Sequence, residues 1–75
     1  MTSIKNQLNN FAVNMWKKRK ELGLNQKEFA YKCGVHFNTI QHIEQGKHSP
    51  SLRIALQIAR KCKLSIEEML QEPKA

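Results

Sequence analysis

Aspartate is absent from this 75-residue chain, and its six acidic residues are all glutamates. A Ser–His–Asp arrangement is therefore excluded, and so is any loop that binds a cation through aspartates. Three glycines are too scattered to form a phosphate-cradling loop, and no G-x-S-x-G elbow occurs. Glu67-Glu68 reads as the opening of a helix, not as a pair of acids around a cleft. No catalytic constellation is left, so neither an enzyme, a cofactor nor a small-molecule ligand is expected. Cysteine is scarce: Cys33 and Cys62 both fall on apolar faces, as buried reduced thiols do, which suits a cytoplasmic setting. Cys33 and His36 stand three apart and invite zinc, with His42, His48 or Cys62 completing the set. No second closely spaced pair supports that, and no metal is expected. There is no apolar run of membrane-spanning length and no secretory leader. The length suits one small domain that needs well-packed helices or a second copy to be robust.

Basic charge is what the chain has in excess. Thirteen Lys and Arg give a formal net charge of +7. Such a balance suits a polyanion: DNA, RNA or an anionic membrane surface. Lys17-Lys18-Arg19-Lys20 is the densest run, but it winds around a whole helical turn and reads first as a solvated face.

Helical periodicity organises the chain from end to end. Ile4, Leu8, Phe11 and Met15 recur at helical spacing, with Leu22 near the same stripe, and predict a first helix ending at Gly23. Residues 1–8 form an N-terminal extension, either a longer first helix or a frayed arm, since Asn6, Asn9 and Asn10 are weak helix formers. Asn25 caps a second helix over about 26–33, Gly34 turns the chain, and a third helix runs over about 37–45. Pro50 suits the opening of a fourth helix, with Leu52, Ala55, Leu56, Ala59 and Cys62 as its stripe. Ser65-Ile66-Glu67-Glu68 is a capping box for a fifth. Residues 72–75 are a tail. The fold class is all-α.

Residues 26–45 carry the functional signal. Phe29, Ala30 and Cys33 share one face of the second helix, and Ala30 is small enough for close crossing. Val35 plugs the turn after Gly34. In the third helix Ile40 and Ile43 point inward. At 100° per residue, Asn38, His42 and Gln45 point the other way, flanked by Thr39 and Gln41. A face of amides, imidazole and hydroxyl makes a poor core and a good reader of base edges, because Asn and Gln pair bidentately with adenine. Arg19 lies on the inward stripe of helix one and Glu44 lies beside Ile43, and charges are rarely buried alone.

Residues 8–71 resemble the lambda-repressor/Cro-type helix-turn-helix domain. The shared motifs are Leu22-Gly23-Leu24-Asn25-Gln26, Glu28-Phe29-Ala30, Gly34-Val35, Thr39-Ile40, Ile43-Glu44-Gln45-Gly46-Lys47, Pro50-Ser51-Leu52 and Leu64-Ser65-Ile66-Glu67-Glu68-Met69-Leu70. The resemblance implies a compact five-helix bundle over residues 9–71, helices two and three forming the motif. It implies operator DNA as the partner and, usually, a homodimer. On the matching positions, Phe37, Asn38, Gln41 and His42 are base readers. Asn25 and Gln26 clamp the DNA backbone, Thr39 contacts a phosphate, and Lys47, His48 and Arg53 anchor the backbone after helix three. Arg19 and Glu44 pair. Two positions depart from the pattern. Phe37 stands where polar readers are frequent and either presses on a thymine methyl or folds onto the core edge. Lys63 stands where glycine often ends helix four, at a cost of about 1 kcal/mol if left-handed.

One such helix reads only a few base pairs, so a two-fold dimer on a roughly palindromic operator is expected. Its contact surface is sought away from helix three, near Leu64, Ile66, Met69 and Leu70; most of these also suit the core, and the helix four–five junction or the N-terminal extension is the alternative. If His36, His42 and His48 touch DNA, binding strengthens mildly as pH falls through the imidazole range. The resulting expectation is a bacterial or phage-encoded cytoplasmic regulator of transcription without a membrane partner. The competing class is an antitoxin or other protein-interaction module on the same fold, because fold alone does not decide function.

Overall fold

The computed structural model describes residues 3–74, and five helices follow one another in it: α1 (Ile4–Glu21), α2 (Gln26–Cys33), α3 (Phe37–Glu44), α4 (Leu52–Cys62) and α5 (Ile66–Leu70). Ser3 caps α1, its hydroxyl accepting from the Asn6 N–H at 3.1 Å. The extension set apart by sequence is thus helical from Ile4 onward; Met1 and Thr2 lie outside the described residues, as does Ala75 of the tail. The helix stops at Glu21, two residues before Gly23, with Leu22 as its cap. Ile4 and Leu22 stay exposed, so the buried stripe of α1 narrows to Phe11, Met15 and Arg19.

Phe11, Met15, Phe29, Ile40, Ile58, Cys62 and Met69 form the fully buried centre, drawn from all five helices. Ser51, not Pro50, caps α4, its hydroxyl accepting from the Ile54 N–H at 3.2 Å. The buried stripe of α4 is Ala55, Ile58, Ala59 and Cys62, whereas Leu52 and Leu56 are 72% and 49% exposed. Apolar residues cover more than half of this helix's circumference. Two stripes therefore satisfy the same period, and only the position of the neighbouring helices selects one. Of the residues around α5 where a dimer contact was sought, Met69 is fully buried, and Leu64, Ile66 and Leu70 are partly buried against the core.

Polar side chains close the ends of the bundle. The Ser65 and Glu68 box is complete in both directions, at 3.0 and 2.9 Å, and the Ser65 N–H, donating to Glu68 Oε1, holds that carboxyl below its ordinary range. Asn10 donates to the Leu70 carbonyl at 3.0 Å, and Asn14 to those of Met69 and Gln71, both at 2.9 Å. Weak helix formers on α1 thus satisfy carbonyls that the short α5 leaves open. Lys17 donates to the Lys74 carbonyl on the same side. Lys63 ends α4 at φ 58°, the left-handed conformation that glycine adopts at less cost.

Candidate nucleic-acid interface

The turn between α2 and α3 depends on Gly34, at φ 71° and ψ 29°. Its N–H donates to the Tyr31 carbonyl at 3.2 Å, and the Val35 N–H donates to that of Ala30 at 3.0 Å. A Cβ on Gly34 would meet only the Gln57 amide, at an ordinary 3.5 Å, so the need for glycine is torsional rather than steric. Ala30, 2% exposed, is the small residue under the crossing.

One polar cluster sets the pose of α3. Arg19 Nε donates to Glu44 Oε2 at 2.7 Å and Nη2 to Oε1 at 3.0 Å, a bidentate pair with both side chains 8% exposed. Arg19 Nη1 also donates to the Leu24 carbonyl at 2.9 Å, and Gln26 Nε2 to Glu44 Oε1 at 3.0 Å. Three elements converge on one carboxylate: α1 through Arg19, the start of α2 through Gln26, and α3 through Glu44 itself. Every buried side-chain nitrogen and oxygen among the described residues has a partner. The planar guanidinium suits this role because its donors match the carboxylate fork.

The opposite side of α3 is left open. Ile40 and Ile43 are buried, whereas Asn38 is exposed and Gln41 and His42 are partly so. The side chains of Asn38, Gln41, His42 and Gln45 make no intramolecular hydrogen bond among the described residues. His36 caps α3, its Nδ1 accepting from the Asn38 N–H at 3.2 Å. This imidazole thus supports the start of the helix. The His42 and His48 rings lie 5.0 Å apart, tilted by 54°, which brings the loop after α3 against the open face of the helix. Thr39, on the same flank, lines a hollow with His48, Ser49 and Ser51. Lys47 and Arg53 are exposed beyond it.

At the other flank, Asn25 and Glu28 form a reciprocal capping box at 2.8 and 2.9 Å. The box leaves the backbone N–H groups of Gln26 and Lys27 as the forward-facing donors of the first turn, where an anion binds well. The Gln26 amide nitrogen is engaged with Glu44, which leaves its main-chain N–H as the group at the helix start. Phe37 is half-buried and packs against the core. Lys27, which the sequence reading passed over, places its ammonium 5.5 Å from the centre of the Phe37 ring. Its neighbour Gln26 carried the only local signal, because a contact between helices leaves no trace in spacing along one of them.

Five helices, a glycine turn and an uncovered polar helix face are the geometry, and the profile of a family described as helix-turn-helix matches residues 17–69. The chain belongs to the lambda-repressor/Cro-type helix-turn-helix family of DNA-binding domains. This helix-turn-helix protein is 45% identical over 51 residues to an uncharacterised HTH-type transcriptional regulator of Archaeoglobus fulgidus, a match covering 68% of this chain and 73% of that one. Its fold is that of a hypothetical transcription factor from Neisseria, with a TM-score of 0.83 at 22% identity over 91% of this chain and 76% of that one. It is also similar to the restriction-modification controller protein C.Esp1396I, with a TM-score of 0.74 at 25% identity over 92% and 90% of the two chains. No helix among the described residues is long and apolar enough to cross a membrane.

Proposed function

We propose that this helix-turn-helix protein is a sequence-specific transcriptional regulator that binds double-stranded DNA as a homodimer on a roughly palindromic operator. One observation carries the reading: the amide-rich side of α3 is uncovered while Ile40 and Ile43 fill the core behind it. With α3 in the major groove, Asn38, Gln41 and His42 read base edges and Phe37 meets a thymine methyl. Asn25, the main chain at Gln26, Thr39, Lys47, His48 and Arg53 hold phosphates, which supply affinity without sequence preference. The net charge of +7 favours the encounter. Similarity to HTH-type transcriptional regulators supports the same role.

A second copy would be joined through α4. Leu52 and Leu56 stand one turn apart and exposed, beside Arg53, on the helix that follows the reading element. A dimer of this kind needs its two α3 helices spaced for half-sites about 34 Å apart. Selection from random duplex DNA at about 150 mM salt tests the whole reading, because that salt suppresses purely electrostatic binding. An enriched two-fold site is the expected result. Failure to enrich any sequence, with tight binding to a cognate protein instead, would transfer the chain to the antitoxin class.

A further inference from the structure

We propose that Lys27 is a positioning residue for base recognition: it clamps the Phe37 ring at the edge of α3 so that the ring meets a thymine methyl in one fixed pose. The inference rests on α3 being the recognition helix and adds a residue from outside it. Phe37 is the first residue of α3 and lies on the flank that also carries Glu44, turned toward α2. The ring packs against the core, which fixes it from within. A cation from α2 reaches its face. There the Lys27 ammonium stands 5.5 Å from the ring centre, inside the range where a cation is held by the negative face of an aromatic ring. Lys27 itself is exposed, and it follows Gln26 in the first turn of α2, next to the free backbone N–H groups. One side chain is therefore shared between a phosphate, which attracts its charge, and the ring, which its charge orients. A base contact is tied in this way to a backbone contact, and the ring is ordered before DNA arrives. Ordering before binding favours specificity, because no rotamer freedom remains to be lost in the complex.

The test uses the full chain and the best duplex recovered by the selection above. That duplex is synthesised once with thymine and again with uracil at each thymine of one half-site in turn, which deletes single methyl groups and nothing else. The wild type is expected to prefer thymine at one position by about threefold or more. Phe37→Ala abolishes that preference. Lys27→Met, which keeps the stem and removes the charge, reduces it to less than about twofold, and Lys27→Arg, a better cation for an aromatic face, restores it. In the free protein, the Lys27 side-chain protons next to the ammonium carry an upfield ring shift that Phe37→Leu removes. If Lys27→Met weakens thymine and uracil duplexes by the same factor and leaves the preference intact, Lys27 is a phosphate contact alone and the proposal fails while the base-reading role of Phe37 stands. If the wild type ignores the methyl at every position, or Phe37→Ala leaves the preference unchanged, the role of Phe37 fails and takes the clamp with it. Absence of the ring shift overturns the clamp without reference to DNA.

Discussion

Asn10 and Asn14 on α1 donate their amide N–H groups to carbonyls at the end of α5, whereas Asn38 and Gln41 on α3 and Gln45 at its cap have no intramolecular acceptor among the described residues. The chemistry of the two sets is the same and their use is opposite. Amides on α1 complete a hydrogen-bond account that the short α5 leaves open, and so they contribute to stability. Amides on α3 are kept in water, contribute little to folding, and are available to a partner with donors and acceptors of its own. Glu44 belongs to the first group although it sits on α3, because its flank faces Arg19 and Gln26. A single helix thus has a structural side and an open polar side about half a turn apart. The polar character of a residue does not say which side it is on; its neighbours do.

The comparison can be broken most sharply at its structural end. Glu44→Ala should lower stability by about 3–5 kcal/mol, since it strands the Arg19 guanidinium with only the Leu24 carbonyl. An unchanged urea or thermal midpoint would reject the cluster as the anchor of α3. On the reading side, Asn38→Ala and Gln41→Ala should each cost about 1–3 kcal/mol on specific DNA while leaving folding within about 0.5 kcal/mol. Equal loss on specific and random duplexes would remove both from base reading. Asn14→Ala should show the reverse pattern, with about 1 kcal/mol lost from folding and DNA affinity unaltered. Were Asn38→Ala to destabilise the fold as much as Asn14→Ala, the contrast between the two sets of amides would collapse.

Two smaller effects sharpen the picture of the interior. Burial pushes the Cys33 thiol up from 9.0 to about 12 and the Cys62 thiol up to about 11. The folded state holds these protons more tightly than the unfolded chain. Stability from this source is whole below about pH 9 and is lost as pH rises toward 11 and 12. At pH 10 the loss is roughly 1 kcal/mol per thiol, and melts of a Cys33→Ala, Cys62→Ala chain should lack that alkaline decline. Lys63→Gly should stabilise by about 1 kcal/mol, because it relieves a left-handed lysine at the end of α4. A lower melting temperature for that variant would mean the lysine side chain makes a compensating contact.

Much of the arrangement could be read from particular residues. Gln26–Cys33 is bounded by Asn25, a good cap, and Gly34, a residue free to turn left-handed, and the observed helix has those limits. Ile40 lies about 160° from both Asn38 and His42, and Ile43 about 140° from Asn38 and about 100° from His42, so the wheel separated core from open face without knowledge of the neighbours. It failed on α4, where Leu52 and Leu56 satisfy the helical period as well as Ile58 does and are nonetheless exposed. At α5 it left Leu64, Ile66 and Leu70 between core and surface, and the structure has them partly buried against the core. Lys27 was invisible because the Phe37 ring comes from another helix.

What the order of residues determined by itself is local and periodic: helices, their caps, the glycine turn, and the two sides of α3. These depend on backbone torsions and on spacing within a single element. Tertiary structure alone decided which apolar stripe of α4 turns inward, where the amides of α1 find acceptors, and which cation stands over Phe37. Each of those depends on distances between segments far apart in the chain, and periodicity along one segment carries no information about them.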